Sequence, residues 1–186
     1  MTPTRKQCLD LITRYQMLPH ILRHSELVTR VALVIAGKLN KEGHQLDLAL
    51  VEAGSLLHDI AKTTCLTTKE NHAVAGAALL VSLGYPAVAG IVRQHIRLDQ
   101  KTFDPFRVTE EELVNYADKR VKHEEVVDLA ERFRDIRERY TGKFPGLEEA
   151  MAQVFDETLL IEKKIFSLID ITPEQIVHSL FQDTVP

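Results

Sequence analysis

The sequence predicts an all-α fold, a single compact helical bundle spanning residues 1–186. Apolar residues recur at three- and four-residue spacing along most of the chain, as the buried stripe of a helix does. Gly, Pro and short polar clusters interrupt those runs at intervals suited to helix ends. No stretch shows convincing alternation of apolar and polar residues, and there is no internal repeat or low-complexity segment.

From Pro19 to about Leu39, apolar positions fall at Leu27, Val28, Val31, Ala32, Val34, Ile35 and Leu39, with Pro19 suited to a first helical turn. Gly43 stops this helix and Asp47 caps the next, which runs from Leu48 to about Lys62. A polar loop over residues 63–71 follows, then a helix from about His72 to Leu83, a stop at Gly84, and a helix from Pro86 to near Arg97. Beyond a loop containing Phe103, Asp104, Pro105 and Phe106, Thr109 and Glu112 have capping-box spacing and open a helix through Asp118.

Residues 124–140 place Val127, Ala130, Phe133, Ile136 and Tyr140 on one side of a helix. Arg132, Arg134, Arg137 and Arg139 alternate with Glu131, Asp135 and Glu138, the pattern of an ion-paired solvent face. Gly142, Pro145 and Gly146 break that helix, Leu147 to about Ile169 forms another, and Thr172-Pro173-Glu174-Gln175 caps a short last one.

With 45% apolar and 27% charged residues, the balance is that of a folded soluble domain. Cys8 and Cys65 match neither a disulfide framework nor a CxxC metal site, which points to a reducing compartment. The first residues are not followed by a signal-peptide core, and no apolar run is long enough to span a membrane, so a cytoplasmic protein is expected. The net charge of −4 argues against nucleic acid as a partner. Charge is uneven, however: residues 1–123 carry 16 Lys and Arg against 13 Asp and Glu, whereas residues 124–186 carry 7 against 14. The front portion is therefore the better face for an anion.

Four glycines, Gly37, Gly54, Gly76 and Gly90, lie inside apolar helical runs, where each costs about 1 kcal/mol relative to Ala. Close helix approach around one centre would offset that cost. The centre is marked by Leu56-Leu57-His58-Asp59-Ile60-Ala61-Lys62. Neighbours on a helix point about 100° apart, so His58 and Asp59 are not expected to share one core direction. A carboxylate in an apolar run is costly unless it is paired or holds a cation.

Further donors surround that pair in sequence: His24, His72, His95 and Asp118. A single His, then an adjacent His-Asp pair, then a distal Asp, here His24, His58, Asp59 and Asp118, resembles the HD-domain superfamily of metal-dependent phosphohydrolases. The flanks, Arg23-His24-Ser25 with Val28 and Val31-Ala32, and Leu56 through Lys62, are similar to the family's first two motifs. The resemblance covers residues 18–125, leaving 126–186 as a C-terminal helical extension.

The additional His72 and His95 resemble the two-metal subset, which includes bacterial diadenosine-tetraphosphate hydrolases and the HD-GYP phosphodiesterases. The tripeptide Gly84-Tyr85-Pro86 lacks the rest of the HD-GYP pattern and reads as a helix stop and start. The resemblance implies that Asp59 bridges two divalent cations, with His24, His58 and Asp118 on the first and His72 and His95 on the second. Iron or manganese suits these ligands first, with zinc, cobalt, nickel or magnesium also compatible.

The implied reaction is hydrolysis of a nucleotide-type phosphoester or phosphoanhydride by a metal-bound hydroxide. Asp59 and Lys62 are the expected catalytic residues. Lys62, one turn after His58, is also the first choice for the substrate phosphate, followed by Arg93, Arg97, Lys119 and Arg120. His20 is expected at a cap or on the surface. Two alternatives remain open: a single-metal 5′-nucleotidase, and a non-catalytic metal-stabilised module that binds a nucleotide.

Overall fold

The computed structural model describes residues 1–99, 104–140 and 146–182, with residues 181 and 182 described by backbone alone. Helix α1 (Arg5–Arg14) begins at a capping box in which Thr4 accepts from Gln7 N and the Gln7 side chain accepts from Thr4 N. Pro19 occupies the first turn of α2 (Pro19–Lys41), the long central helix. Gly43, at φ +95°, turns the chain, and Asp47 caps α3 (Leu48–Leu57) by accepting from the amides of Ala49 and Leu50.

The helix expected to run to Lys62 ends instead at Leu57. Residues 58–61 form a turn, and α4 (Lys62–Thr68) occupies most of the stretch expected as a polar loop. Helices α5 (His72–Ser82) and α6 (Pro86–Gln94) form a hairpin around Gly84, at φ +85°. The predicted capping box at Thr109 and Glu112 opens α7 (Glu110–Lys119). Phe103, Gly142 and Pro145, named above as loop and helix-breaking residues, lie outside the described residues.

A small antiparallel hairpin, β1 (Val121–Lys122) and β2 (Glu125–Val126), interrupts the region expected to enter a helix at 124. Strands of two residues are too short to show alternation. Helices α8 (Leu129–Tyr140), α9 (Leu147–Ser167) and α10 (Ile176–Gln182) complete the described chain, the last preceded by a single 3-10 turn and the predicted Thr172 and Gln175 capping box.

Helix α2 packs on α3 and α7, while α6 bridges α3, α5 and α7. One apolar cluster joins Val31, Ile35 and Leu39 of α2 to Leu113 and Tyr116 of α7 and to Ile161, Ile165, Ile176 and Leu180 of the C-terminal helices. The segments after residue 126 therefore share a core with α2 and α7. A second cluster lies under α1, where Cys8 and Ile12 meet Leu56, Leu57, Ile60 and Leu80. Leu56, Leu57 and Ile60 of the motif at the end of α3 belong to this second cluster.

Two of the four interior glycines serve close approach. A Cβ at Gly54 would lie 2.8 Å from Cγ2 and Cδ1 of Ile91, and one at Gly76 would lie 3.1 Å from Val92 Cγ1. These contacts draw α3 and α5 onto α6. Gly37 and Gly90 do not fit that expectation, since a Cβ would meet nothing within 4 Å at the first and only Glu111 Oε1 at 3.9 Å at the second.

Candidate metal centre

His58 and Asp59 are both buried, at 0% and 1% exposure, contrary to the expectation that they could not share a core direction. The reason is the surrounding packing: His58 keeps helical backbone angles (φ −55°, ψ −34°), so the two side chains still diverge, but His58 faces Asp118 of α7 while Asp59 faces His72 and His95 at α5 and α6, and helices enclose both directions. His58 Nδ1 donates to the Ser55 carbonyl at 2.7 Å, which turns its Nε2 inward.

The other donors arrive from four different segments. Asn71 caps α5 by accepting from the amides of Ala73 and Val74, fixing His72 in the first turn. His95 follows the last residue of α6 and donates from Nδ1 to Val92 O at 2.6 Å. Lys119 Nζ and Asn115 Nδ2 both donate to the His95 carbonyl, at 2.9 and 3.1 Å, and so hold that helix end from α7. His24 on α2 donates from Nδ1 to the carbonyl of His123, at 3.0 Å, in the turn of the β-hairpin. Asp118 comes from the last turn of α7.

These six side chains form two groups, His24 with His58 and Asp118, and Asp59 with His72 and His95, the donor atoms within each group lying within 4.8 Å of one another. Asp118 Oδ1 is 2.9 Å from His24 Nε2 and 3.6 Å from His58 Nε2. Asp59 Oδ1 is 3.1 Å from His72 Nε2 and 3.6 Å from His95 Nε2, while its Oδ2 is 3.5 Å from His58 Nε2. One carboxylate thus presents an oxygen to each group.

The donor chemistry fits cations. A carbonyl only accepts, so His24, His58 and His95 each carry a proton on Nδ1. At His58 and His95, Nε2 of the neutral imidazole is then a lone pair directed at the centre, the arrangement that orients a metal-binding histidine, whereas His24 Nε2 donates to Asp118 Oδ1 at 2.9 Å in the absence of a cation. His58 Nε2 is buried without a hydrogen-bond partner, and His95 Nε2 faces His72 Nε2 at 3.2 Å. A cation in each group would satisfy these facing lone pairs.

The electrostatics agree. Burial opposes charge on Asp59, but His58 and Lys62 overcome it and hold its carboxyl well below the ordinary range. Burial likewise opposes charge on Asp118, which the hydrogen bond from His24 and the charges of His58, His24 and Arg132 hold well below normal. Burial pulls the His58 imidazole down, yet Asp59 and Asp118 raise it on balance, whereas burial dominates at His95 and lowers it. Two ionised carboxylates in an apolar setting are costly without cations beside them.

Lys62 lies at the rim, its ammonium 2.6 Å from Asp59 Oδ2. The other cations named from sequence have their partners elsewhere. Arg93 lies 3.8 Å from Asp99, Arg97 donates to Gln153 at 3.2 Å, and Lys119 is buried on the carbonyls of His95 and Asn115. Arg120 is buried among Tyr116, Glu162, Val127 O and Pro173 O. His20 is exposed, as expected.

Sequence reasoning missed Arg132. It was assigned to a solvent face, but it is 8% exposed, with Nη2 4.0 Å from Asp118 Oδ1. Leu129, Arg132 and Phe133 form the buried face of α8, whereas Ala130 is exposed, so the stripe is rotated from the one expected. The signal available was the arginine's position three residues after Leu129 and beside Phe133.

A helical bundle that gathers histidines and aspartates from five segments around a shared His-Asp pair defines a class of metal-binding domain. The chain belongs to the HD domain family, which matches residues 21–172. Among curated proteins it is similar to tRNA (cytidine(56)-2′-O)-methyltransferases. That of Thermoplasma volcanium is 31% identical over 83% of this chain and 50% of its own length, and that of Picrophilus torridus 29% identical over 76% and 42%. An uncharacterized protein of Methanocaldococcus jannaschii is 29% identical over 69% of this chain and 82% of its own. The chain therefore spans half or less of the two methyltransferases. No solved structure matches it. Among the described residues, no helix is long and apolar enough to cross a membrane.

Proposed function

We propose that this chain is a metal-dependent phosphohydrolase that uses two divalent cations on a nucleotide-type phosphoester or phosphoanhydride. The observation that carries the reading is Asp59, whose two oxygens face different histidines, His72 across Oδ1 and His58 across Oδ2. In this reading His24, His58 and Asp118 hold one cation, His72 and His95 the other, and Asp59 both. Such cations lower the pKa of coordinated water and neutralise phosphoryl oxygens. The chain's own residues supply the rest. Carbonyls of Ser55, Val92 and His123 fix the imidazoles, Leu56, Leu57 and Ile60 anchor the motif in the apolar cluster under α1, and Lys62 meets the substrate anion at the rim.

Metal analysis of the purified protein followed by a nucleotide panel with added Mn(II) tests this. Two equivalents of metal and release of phosphate are expected. A single equivalent would leave a one-metal 5′-nucleotidase, and full occupancy without turnover would leave a metal-stabilised nucleotide-binding module.

A second reading is favoured by the relatives named as tRNA methyltransferases. In it the phosphate belongs to an RNA, and the expectation from net charge that nucleic acid is excluded fails. The positive balance of residues 1–123 is compatible with it. Gel-shift titration with tRNA at low and moderate salt separates the two, because binding through phosphates weakens steeply with salt.

A further inference from the structure

The arginine on the buried face of α8 has no role in the reading so far. Its Nη1 donates to Asp135 Oδ2 at 3.2 Å, and Asp135 also accepts from Arg139 Nη2. The opposite edge of the guanidinium, formed by Nε and Nη2, faces differently. Nη2 is 4.0 Å from Asp118 Oδ1, beyond hydrogen-bond length, and Nε is buried with no partner among the described residues. That side-on edge carries two parallel N–H groups, the geometry that takes a phosphate or carboxylate through two bonds at once. Leaving a buried charged donor unpaired is unfavourable, so an arginine held in this way is set for an acceptor that no described residue supplies.

Charge balance points the same way. Each half of the centre has one carboxylate and one adjacent basic side chain, Asp59 with Lys62 and Asp118 with Arg132. Once divalent cations take up the carboxylates, Lys62 loses its counter-charge and Arg132 keeps Asp135, which it shares with Arg139, so an anion with several charged oxygens improves the balance. Lys62 reaches that anion from the Asp59 side. We infer that Arg132 binds the substrate phosphoryl group from the Asp118 side, through its Nε and Nη2 edge. The inference rests on the hydrolase reading and adds a second contact to it.

Inorganic phosphate, titrated calorimetrically into the Mn(II)-loaded protein, is the direct probe. Arg132→Gln weakens phosphate binding by about 10- to 100-fold, the loss expected for a charge-assisted hydrogen bond. It leaves metal stoichiometry and helical circular dichroism at parental values. Arg132→Lys recovers only part of the affinity, because an ammonium lacks the two-pronged edge. Arg134→Gln, an equal charge change at an exposed position of the same helix, binds phosphate as the parent does.

Undiminished phosphate binding by Arg132→Gln overturns this inference alone. Loss of metal together with phosphate, in both the Gln and Lys variants, also overturns it and makes Arg132 a support for Asp118. A parent protein that takes up metal but no phosphate overturns this inference and the hydrolase reading together.

Discussion

The ammonium of Lys62 sits 2.6 Å from Oδ2 of Asp59, the carboxylate oxygen that also faces His58. Because the two residues are three apart across the turn into α4, the pair forms without any tertiary contact. Lys62 is half-exposed at 38%, whereas Asp59 is buried, so the lysine can leave the carboxylate for a ligand while Asp59 stays in place. Lys62→Ala should raise KM for the phosphorylated substrate by about 10-fold, the scale of one charge-assisted contact, and leave metal content unchanged. Steady-state kinetics with parallel metal analysis checks this. Unaltered KM would make Lys62 a helix-end charge only.

Asp59→Ala removes the oxygen shared by both donor groups. Metal binding and hydrolysis should both be lost, with helical circular dichroism retained because the turn at 58–61 needs no carboxylate for its backbone hydrogen bonds. In a thermal melt, the parent should gain stability with added Mn(II), by about 2.7 kcal/mol at 100 times the dissociation constant. The variant should gain none. A metal-dependent rise in the Tm of Asp59→Ala would place the cations elsewhere.

Glycines at equivalent-looking positions should respond in opposite directions. Gly54→Ala puts a Cβ 2.8 Å from Ile91, forcing α3 from α6, and should destabilise the fold by about 1–3 kcal/mol. Gly37→Ala meets nothing within 4 Å and should stabilise α2 by about 0.5–1 kcal/mol. Urea midpoints of the two variants decide the matter, and a loss of stability at Gly37 would contradict the open space seen beside it.

Cys8 gives the pH dependence outside the centre. Burial, with a contribution from Glu52, pushes its thiol up from 9.0 to about 11. The folded state therefore keeps a proton that the unfolded chain releases sooner. The associated stability is present below pH 9 and declines as pH rises toward 11. Unfolding free energy measured across that window should fall more in the parent than in Cys8→Ala. Iodoacetamide at pH 8 should leave Cys8 unmodified until denaturant is added.

Much of the centre was legible because its parts are local. The His58 and Asp59 pair, the histidine one helix earlier and the aspartate ending α7 stand in a fixed order, and Asn71 marks the start that positions His72. What sequence could not supply was direction. A helical step does separate His58 from Asp59, but the sequence does not show that α5, α6 and α7 enclose both directions. Lys119 and Arg120 adjoin Asp118 in sequence, yet successive helical residues diverge by about 100°, and both find acceptors in the interior. Arg132 was hidden for the converse reason, since the face that α8 buries depends on its tertiary packing against α7, α9 and the β-hairpin, which the alternating charges of its sequence do not reveal.

Three imidazoles of the centre are steered by main-chain oxygens, those of Ser55, Val92 and His123. A carbonyl is common to every amino acid, so no single replacement at those positions can delete the acceptor. Any effect of scanning mutagenesis there would report packing, since Ser55 and Val92 are buried, and would conceal the dependence on backbone course. The vulnerability lies in chain length: one residue added between Ser55 and His58 would rotate the ring by about 100° away from its acceptor and from Asp118. The acceptors are thus insensitive to side-chain identity and exposed to insertion, and the loops free to vary in length are those that do not lie between a histidine and its carbonyl.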